Sequence, residues 1–267
     1  MESRHKPRPL GIGYLTCDNE AKCLRRIEKG NCTVTVEASQ VVEEYAETIY
    51  NISMEGDTVI GARLAERFRV APPTVTETLK RMTRDGLVEM DAKRQVTLTP
   101  KGVELAEAVL RRHRLTERFL VEMLGMQWHQ VHEEAHRLEH YISGAVEERV
   151  AASLHKPRTC PHGNPIPGYV TNARTYLADN GAFRLSDAEI GQKVAILLVS
   201  EVVEDEEALI EYLHERDLIP GSHVSLSSAP YEVDGEMVVD LALGEKRVTV
   251  PLRVAHALWV TAPDSVE

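Results

Sequence analysis

His132, His136, Glu139 and His140 stand four, seven and eight residues apart, counting from the first. On a helix turning about 100° per residue they fall within an arc of about 100°. One face would then present three imidazoles and a carboxylate. His113 and Glu117 are again four apart, and Glu44 and Glu47 are three apart. Three such faces brought together could hold a cation, and mixed nitrogen and oxygen donors in this number suit a first-row divalent ion with five or six ligands. A structural zinc site more often closes at four and includes cysteine. The competing reading makes these residues solvated faces or salt-bridge partners, although few lysines stand opposite them. The segment His136 to His140 also satisfies H-x-x-E-H, the inverted zincin pattern, in which two histidines hold zinc and the glutamate activates water. A zinc metallopeptidase of that kind would leave Glu44, Glu47 and His113 without a role.

Positioning these groups requires a folded chain of some size. The 267 residues suffice for at least two cores, and 43% hydrophobic with 27% charged residues is ordinary globular composition. The longest aliphatic run, 194–199, is too short to span a bilayer. The opening MESRHKPRPL has no apolar stretch after its positive charges, so no secretory signal, no membrane and a cytoplasmic location are expected. Four cysteines in such a chain predict reduced thiols or metal ligands rather than a disulfide framework. Cys17, Cys23 and Cys32 could form a metal or redox site, or be plain thiols.

The net charge of -11 conceals an asymmetry. From Arg63 to Arg114 there are 12 Lys and Arg against 7 Asp and Glu, while from Leu185 to Glu267 there are 5 against 17. A basic segment within an acidic protein is where phosphate contacts are expected.

The pattern along the chain predicts helices at about 41–55, 60–68 and 73–85, then a hairpin in which LVEM and VTLT flank the turn DAKRQ. Helix, helix, turn, helix and hairpin make a winged helix-turn-helix. Two long helices are expected next, to about Leu124 and from about Trp128 to Leu154. The Pro/Gly-rich PRTCPHGNPIPG marks a boundary, and short β-rich runs with one acidic helix at about 205–215 predict a small β-barrel. The expected organisation is an N-terminal extension (1–38), a winged-helix domain (39–101), a helical domain bearing the candidate ligands (102–156), a Pro/Gly-rich linker (157–184) and a small β-barrel (185–267). The fold class is α+β.

The strings EEYAETIY, APPTVTETLKRMTRDGLV, LTPKG, RRHRLTERFL, VHEEAHRLEH and CPHGNPIPG together resemble the DtxR/MntR family of metal-dependent transcriptional repressors, from about Val41 to Gly168 and more weakly beyond. The resemblance implies a repressor that binds double-stranded operator DNA as a homodimer when Mn(II) or Fe(II) is bound, and is not an enzyme. It makes 39–101 the DNA-binding domain, 102–156 the metal-binding and dimerisation domain, and 185–267 an SH3-like, FeoA-like barrel. It implies an activating site of Glu44, His136, Glu139 and His140, joined by Glu47 and His113 as in the manganese-responsive branch. His113, Glu117 and His132 match the ancillary site of the iron-responsive branch. His136 departs from both patterns, standing where the iron branch has cysteine and the manganese branch usually glutamate. Asp205 or Glu206 lies near the place where some members supply further ligands from the third domain. For DNA, the resemblance puts the recognition helix at about 73–84, with Pro73, Thr74, Thr76 and Glu77 near base edges. Lys80, Arg81, Arg84, Lys93 and Arg94 are placed for phosphates and the flanking wing. A DNA-binding protein indifferent to metal, with its His and Glu residues merely structural, is the remaining alternative.

Overall fold

The computed structural model describes residues 23–28, 31–36, 38–203 and 205–263. Residues up to Gln40 form a separate unit. In it β1 (Cys23–Glu28) and β2 (Asn31–Val36) pair antiparallel, Ile27 opposite Cys32. A hairpin thus stands where composition suggested only an extension of uncertain structure. Cys17 lies outside the described residues, and with it the reading of the three cysteines as one site.

From Val41 the chain builds three helices and a wing. Helix α1 (Gln40–Met54) buries Val42, Tyr45, Ala46, Ile49, Tyr50 and Ile52, the spacing of one apolar stripe. It stops where Gly56 takes φ +81° and the Asp57 N–H returns to the Ile52 carbonyl, a left-handed termination glycine allows without strain. Helix α2 (Gly61–Arg67) and helix α3 (Pro72–Arg84) follow. Two prolines open α3, where missing N–H groups cost nothing, and Val75, Leu79 and Met82 face inward. Tyr45 stacks on Phe68 in the turn between α2 and α3, ring centroids 4.2 Å apart. The wing is β3 (Val88–Met90) paired with β4 (Val96–Leu98).

Helix α4 (Pro100–Glu122) starts under a Thr99 cap that accepts from the Gly102 N–H. It crosses the wing so closely that a Cβ on Gly102 would lie 2.0 Å from the Leu87 carbonyl oxygen. The single helix expected from Trp128 to Leu154 is instead a short 3-10 turn (Trp128–Gln130), α5 (Val131–Leu138) and α6 (Gly144–Ser153). The break comes from Ser143, whose extended backbone and side-chain oxygen, accepting from the Val146 N–H, start a new helix. Glu139 keeps helical backbone angles as the cap of α5, and His140 lies in the turn beyond. The four-residue face inferred from one continuous helix is therefore built from a helix and the turn that ends it.

The Pro/Gly-rich segment is not an exposed tether, because residues 162–167 are all buried. Gly163, at φ +87°, passes so near the third domain that a Cβ would meet the Leu197 carbonyl oxygen at 2.1 Å. Beyond it come α7 (Tyr176–Asp179) and one curled antiparallel sheet. Its strands are β5 (Phe183–Arg184), β6 (Lys193–Val199), β7 (His223–Leu226), β8 (Tyr231–Val233), β9 (Glu236–Leu243), β10 (Lys246–Pro251) and β11 (Leu258–Thr261). The order is β10-β9-β7-β6-β11-β5, with β8 beside β9. Helix α8 (Glu206–His214) and helix α9 (Leu252–Ala257) complete it. Val194, Ile196, Leu213, Val239, Leu241 and Val260 are among its core residues.

One guanidinium joins these parts. Arg114 of α4 is fully buried and donates to the Pro165 carbonyl (2.6 Å), to Asn51 Oδ1 of α1 (3.1 Å) and to Glu201 Oε2 just after β6 (2.7 Å). Asn51 in turn donates to Glu201 at 2.8 Å. Removing one member of a buried pair strands the other charge. Arg114→Met is therefore expected to destabilise by about 3–5 kcal/mol, and the double variant Arg114→Met, Glu201→Leu to recover a substantial part, measured by denaturant unfolding.

Candidate metal centre and nucleic-acid interface

The histidines and glutamates meet where α4, α5 and the buried Pro/Gly segment pack together. His113 is 1% exposed and shared between two carboxylates, with Nδ1 2.5 Å from Glu139 Oε2 and Nε2 3.1 Å from Glu117 Oε1. Two clusters grow outward from it.

Around Glu139, which has no exposed surface, His136 Nδ1 and His140 Nε2 each lie 3.1 Å from Oε1. Neither approach has hydrogen-bond geometry, so the buried Glu139 Oε1 and His140 Nε2 have no hydrogen-bond partner. Around Glu117, Oε1 receives His132 Nδ1 at 3.2 Å and His162 Nδ1 at 3.0 Å, while its other oxygen is buried without a partner. His132 Nε2 is 3.4 Å from Glu206 Oε2 at the start of α8. Three sets of ligand atoms lie within 4.8 Å of one another: His113, His136 and Glu139; His113, Glu117 and His132; and Glu117, Cys160 and His162.

Glu44 and Glu47 are in none of these sets. They line a cleft of about 600 Å³ shared with His113, His136, Glu201 and Glu206. Burial, with Glu139 and Glu201 nearby, pushes Glu47 up to about 7 against the opposing pull of His113 and Arg114. Cys160 and His162 carried no role in the reading of the sequence, although CPHG was conspicuous in it. Their Cys-x-His spacing is a ligand signal once the segment is known to be buried. Of Asp205 and Glu206, the two acids considered for the third-domain position, Glu206 reaches the cluster through His132.

The carboxylates favour the protonated form of four of these imidazoles, His113, His132, His136 and His140. Burial opposes the charge on His113, yet Glu117 and Glu139 raise it well above the usual histidine value. His132, buried but facing Glu206 and Glu117, is raised to about 9. His140, beside Glu139 and Glu43, also reaches about 9. Glu139 and Glu117 are held below the usual carboxylate range, the neighbouring imidazoles outweighing burial.

The DNA-directed residues stand on the opposite side of α3 from its buried stripe. Pro73, Thr74, Thr76, Glu77, Lys80, Arg81 and Arg84 are exposed, as are Lys93 and Arg94 in the wing turn. Glu77 pairs with Lys80 at 2.7 Å and Arg84 with Asp85 at 3.1 Å. In the wing, Asp91 Oδ1 accepts from the backbone N–H of Lys93 and of Gln95, and Arg94 takes φ +61°.

A histidine raised in the folded state contributes stability that is complete below its unfolded value, near 6.5, and is lost as pH passes its folded value. In chelator the melting temperature should therefore fall as pH rises from about 6.5 through 9, and Mn(II) should remove that fall. A melting temperature flat or rising over this window in chelator would show that the imidazolium contacts contribute nothing.

Residues 37–96 match the iron dependent repressor N-terminal DNA-binding domain, 99–168 the iron dependent repressor metal binding and dimerisation domain, and 183–262 the FeoA domain. The iron-dependent repressor IdeR of Mycobacterium leprae is 39% identical over 223 residues, covering 82% of this chain and 95% of the relative. The diphtheria toxin repressor of Corynebacterium diphtheriae is 37% identical over 224 residues, again 82% and 95%. A solved manganese-dependent transcriptional repressor in complex with manganese superposes with a TM-score of 0.68 at 30% identity, covering 83% of this chain and 99% of that one. With its helix-turn-helix, its His and Glu clusters and its FeoA sheet in one chain, the protein belongs to the DtxR/MntR family of metal-dependent transcriptional repressors.

Proposed function

We propose that the chain binds operator DNA as a homodimer when Mn(II) or Fe(II) engages the Glu and His side chains, and so represses genes of metal homeostasis. The observation that carries this reading is a buried carboxylate oxygen and imidazole nitrogen, Glu139 Oε1 and His140 Nε2. They lie 3.1 Å apart without a hydrogen bond, beside a helix-turn-helix whose α3 is exposed. Buried polar atoms are normally satisfied, and a cation that displaces the imidazole proton would satisfy both. The donors fit the ion as well. His136, Glu139, His140 and His113 would hold it with Glu44 and Glu47 closing from α1, and His113, Glu117 and His132, with Cys160, His162 and Glu206 at hand, form the ancillary cluster. A dication bound there supplies positive charge against carboxylates that otherwise repel.

Glu44 and Glu47 belong to the DNA-binding half, and His136, Glu139 and His140 to the dimerisation half. Donors from both halves engaged together set the angle between them. In a two-fold dimer this holds two α3 helices about one DNA turn, roughly 34 Å, apart. Met123 and Leu124 just after α4, Leu138 on α5, Tyr141 between α5 and α6, and Val146 on α6 are exposed, Tyr141 by 81%, and exposed apolar side chains of this kind support self-association. Hard carboxylate donors accommodate Mn(II) and Fe(II), while His136 tilts the site toward iron.

The zincin reading loses support because Glu139, its water-activating residue, is buried with Oε2 on His113. A repressor is not an enzyme. No helix among the described residues is long and apolar enough to cross a membrane.

Duplexes selected from a random pool with the Mn(II)-loaded protein test the proposal. They should be retarded with Mn(II) or Fe(II) and not in chelator, and Glu139→Gln should abolish the metal effect. Equal affinity in chelator would sink the metal-dependent reading. Lys93→Ala and Arg94→Ala should weaken all sequences alike, each lowering the log-log salt slope by about one, whereas loss at a single base pair would mean that the wing reads sequence. His136→Glu should improve the response to Mn(II) relative to Fe(II). Should it lose Mn(II) activation that the wild type has, His136 does not tune the site.

A further inference from the structure

His140 lies past the end of α5, so helical geometry does not orient its ring. What holds it comes from the DNA-binding half. His140 Nδ1 is 2.7 Å from Oε2 of Glu43 on α1. The other oxygen of Glu43 is 3.7 Å from the guanidinium of Arg112 on α4, which itself donates to the Glu139 carbonyl at 2.9 Å. On the opposite edge of the ring, Nε2 faces Glu139 Oε1. Side-chain exposure is 7% for His140 and 16% for Glu43, so water competes little for either contact. The neighbouring acid Glu44, one residue on, lines the cleft. Consecutive acids of α1 thus take different tasks, one turned to the cleft and one to the imidazole.

A carboxylate that accepts the N–H of one imidazole nitrogen keeps the proton there and leaves the other nitrogen free to ligate. We infer that Glu43 is a positioning residue of the metal centre, accepting the Nδ1–H of His140 so that Nε2 and Glu139 Oε1 aim at one point, with Arg112 steadying the carboxylate. Glu43 cannot serve as a ligand of the same ion, because it meets the ring edge opposite Nε2. The inference rests on the metal-binding reading of Glu139 and His140. It adds a contact between the two halves that exists without Glu44 or Glu47 ligating. The orientation of a ligand in the dimerisation half therefore depends on where α1 sits.

The experiment uses the full chain with Mn(II) as probe, titrated calorimetrically at fixed pH, and follows the binding event that Glu139→Gln and His140→Ala remove. Glu43→Met and Glu43→Ala, which have no comparable acceptor, should lower Mn(II) affinity about 10–100-fold. Glu43→Gln, whose amide oxygen still accepts from Nδ1, should recover most of it. Melting in chelator is recorded for each variant, because a merely structural ion pair would be lost equally in Gln and Met and would move stability rather than affinity. Wild-type affinity in Glu43→Met overturns the inference, and so does equal weakness in the Gln and Met variants. Unchanged Mn(II) binding in both Glu139→Gln and His140→Ala would overturn the metal-centre reading itself, and with it this one. Normal affinity in the Glu43 variants alone overturns only the role of Glu43.

Discussion

The buried guanidinium of Arg114 is the constraint from which the rest of the arrangement follows. A cation taken fully out of water is tolerable only when acceptors surround it. Those acceptors come from α1, from the Pro/Gly segment and from the chain just after β6. No one of these parts can be displaced without stranding the charge. Satisfying Arg114 therefore sets α1 along the acidic cleft and draws residues 160–166 behind Glu117. It also puts Glu201 near enough to Glu47 to contribute to its raised protonation. A second tie, the buried Glu55 carboxylate accepting from Ser200 at 2.8 Å and from Arg184 at 2.6 Å, repeats the principle one turn further on, just past the end of α1.

Within that frame, charge alternates. His113 separates Glu117 from Glu139, His132 and His162 flank Glu117, and His136 and His140 flank Glu139. Each carboxylate has one oxygen hydrogen-bonded to imidazole, Glu117 Oε1 and Glu139 Oε2, and the other buried without a hydrogen-bond partner among the described residues. On the metal-binding reading, a divalent ion would replace imidazole protons in balancing these carboxylates, so metal and protons would compete for one set of atoms.

Local features were legible in the residues themselves. The apolar stripe of α1, the prolines opening α3 and the turn chemistry of the wing each act within a few residues, and the helices they predict lie within a residue or two of those found. The i,i+4 pair His113 and Glu117 was legible for the same reason. What escaped depended on contacts between distant parts of the chain. Ser143 interrupts a periodic pattern that otherwise runs on, because a cap overrides periodicity at a single position. Prolines and glycines in 157–168 signalled turns correctly, but turn chemistry does not say whether a turn is buried, so Cys160 and His162 went unassigned. Glu43 was hidden among other acids of α1, and the choice between Asp205 and Glu206 was left open, because only the fold distinguishes which acid of a run faces an imidazole.

The close passage of Gly163 over β6 bears on how the molecule can move. The Val199 N–H donates to the His162 carbonyl at 3.0 Å and the Asn164 side chain returns to the Val199 carbonyl at 3.0 Å, so this stretch is laced to the end of β6 with no room for a side chain on Gly163 between them. His162, and Cys160 through its hydrogen bond to the Asn164 carbonyl, are therefore tied to the third domain, although in sequence they precede it. On the metal-binding reading, a displacement of the FeoA sheet would pull directly on the cluster around Glu117.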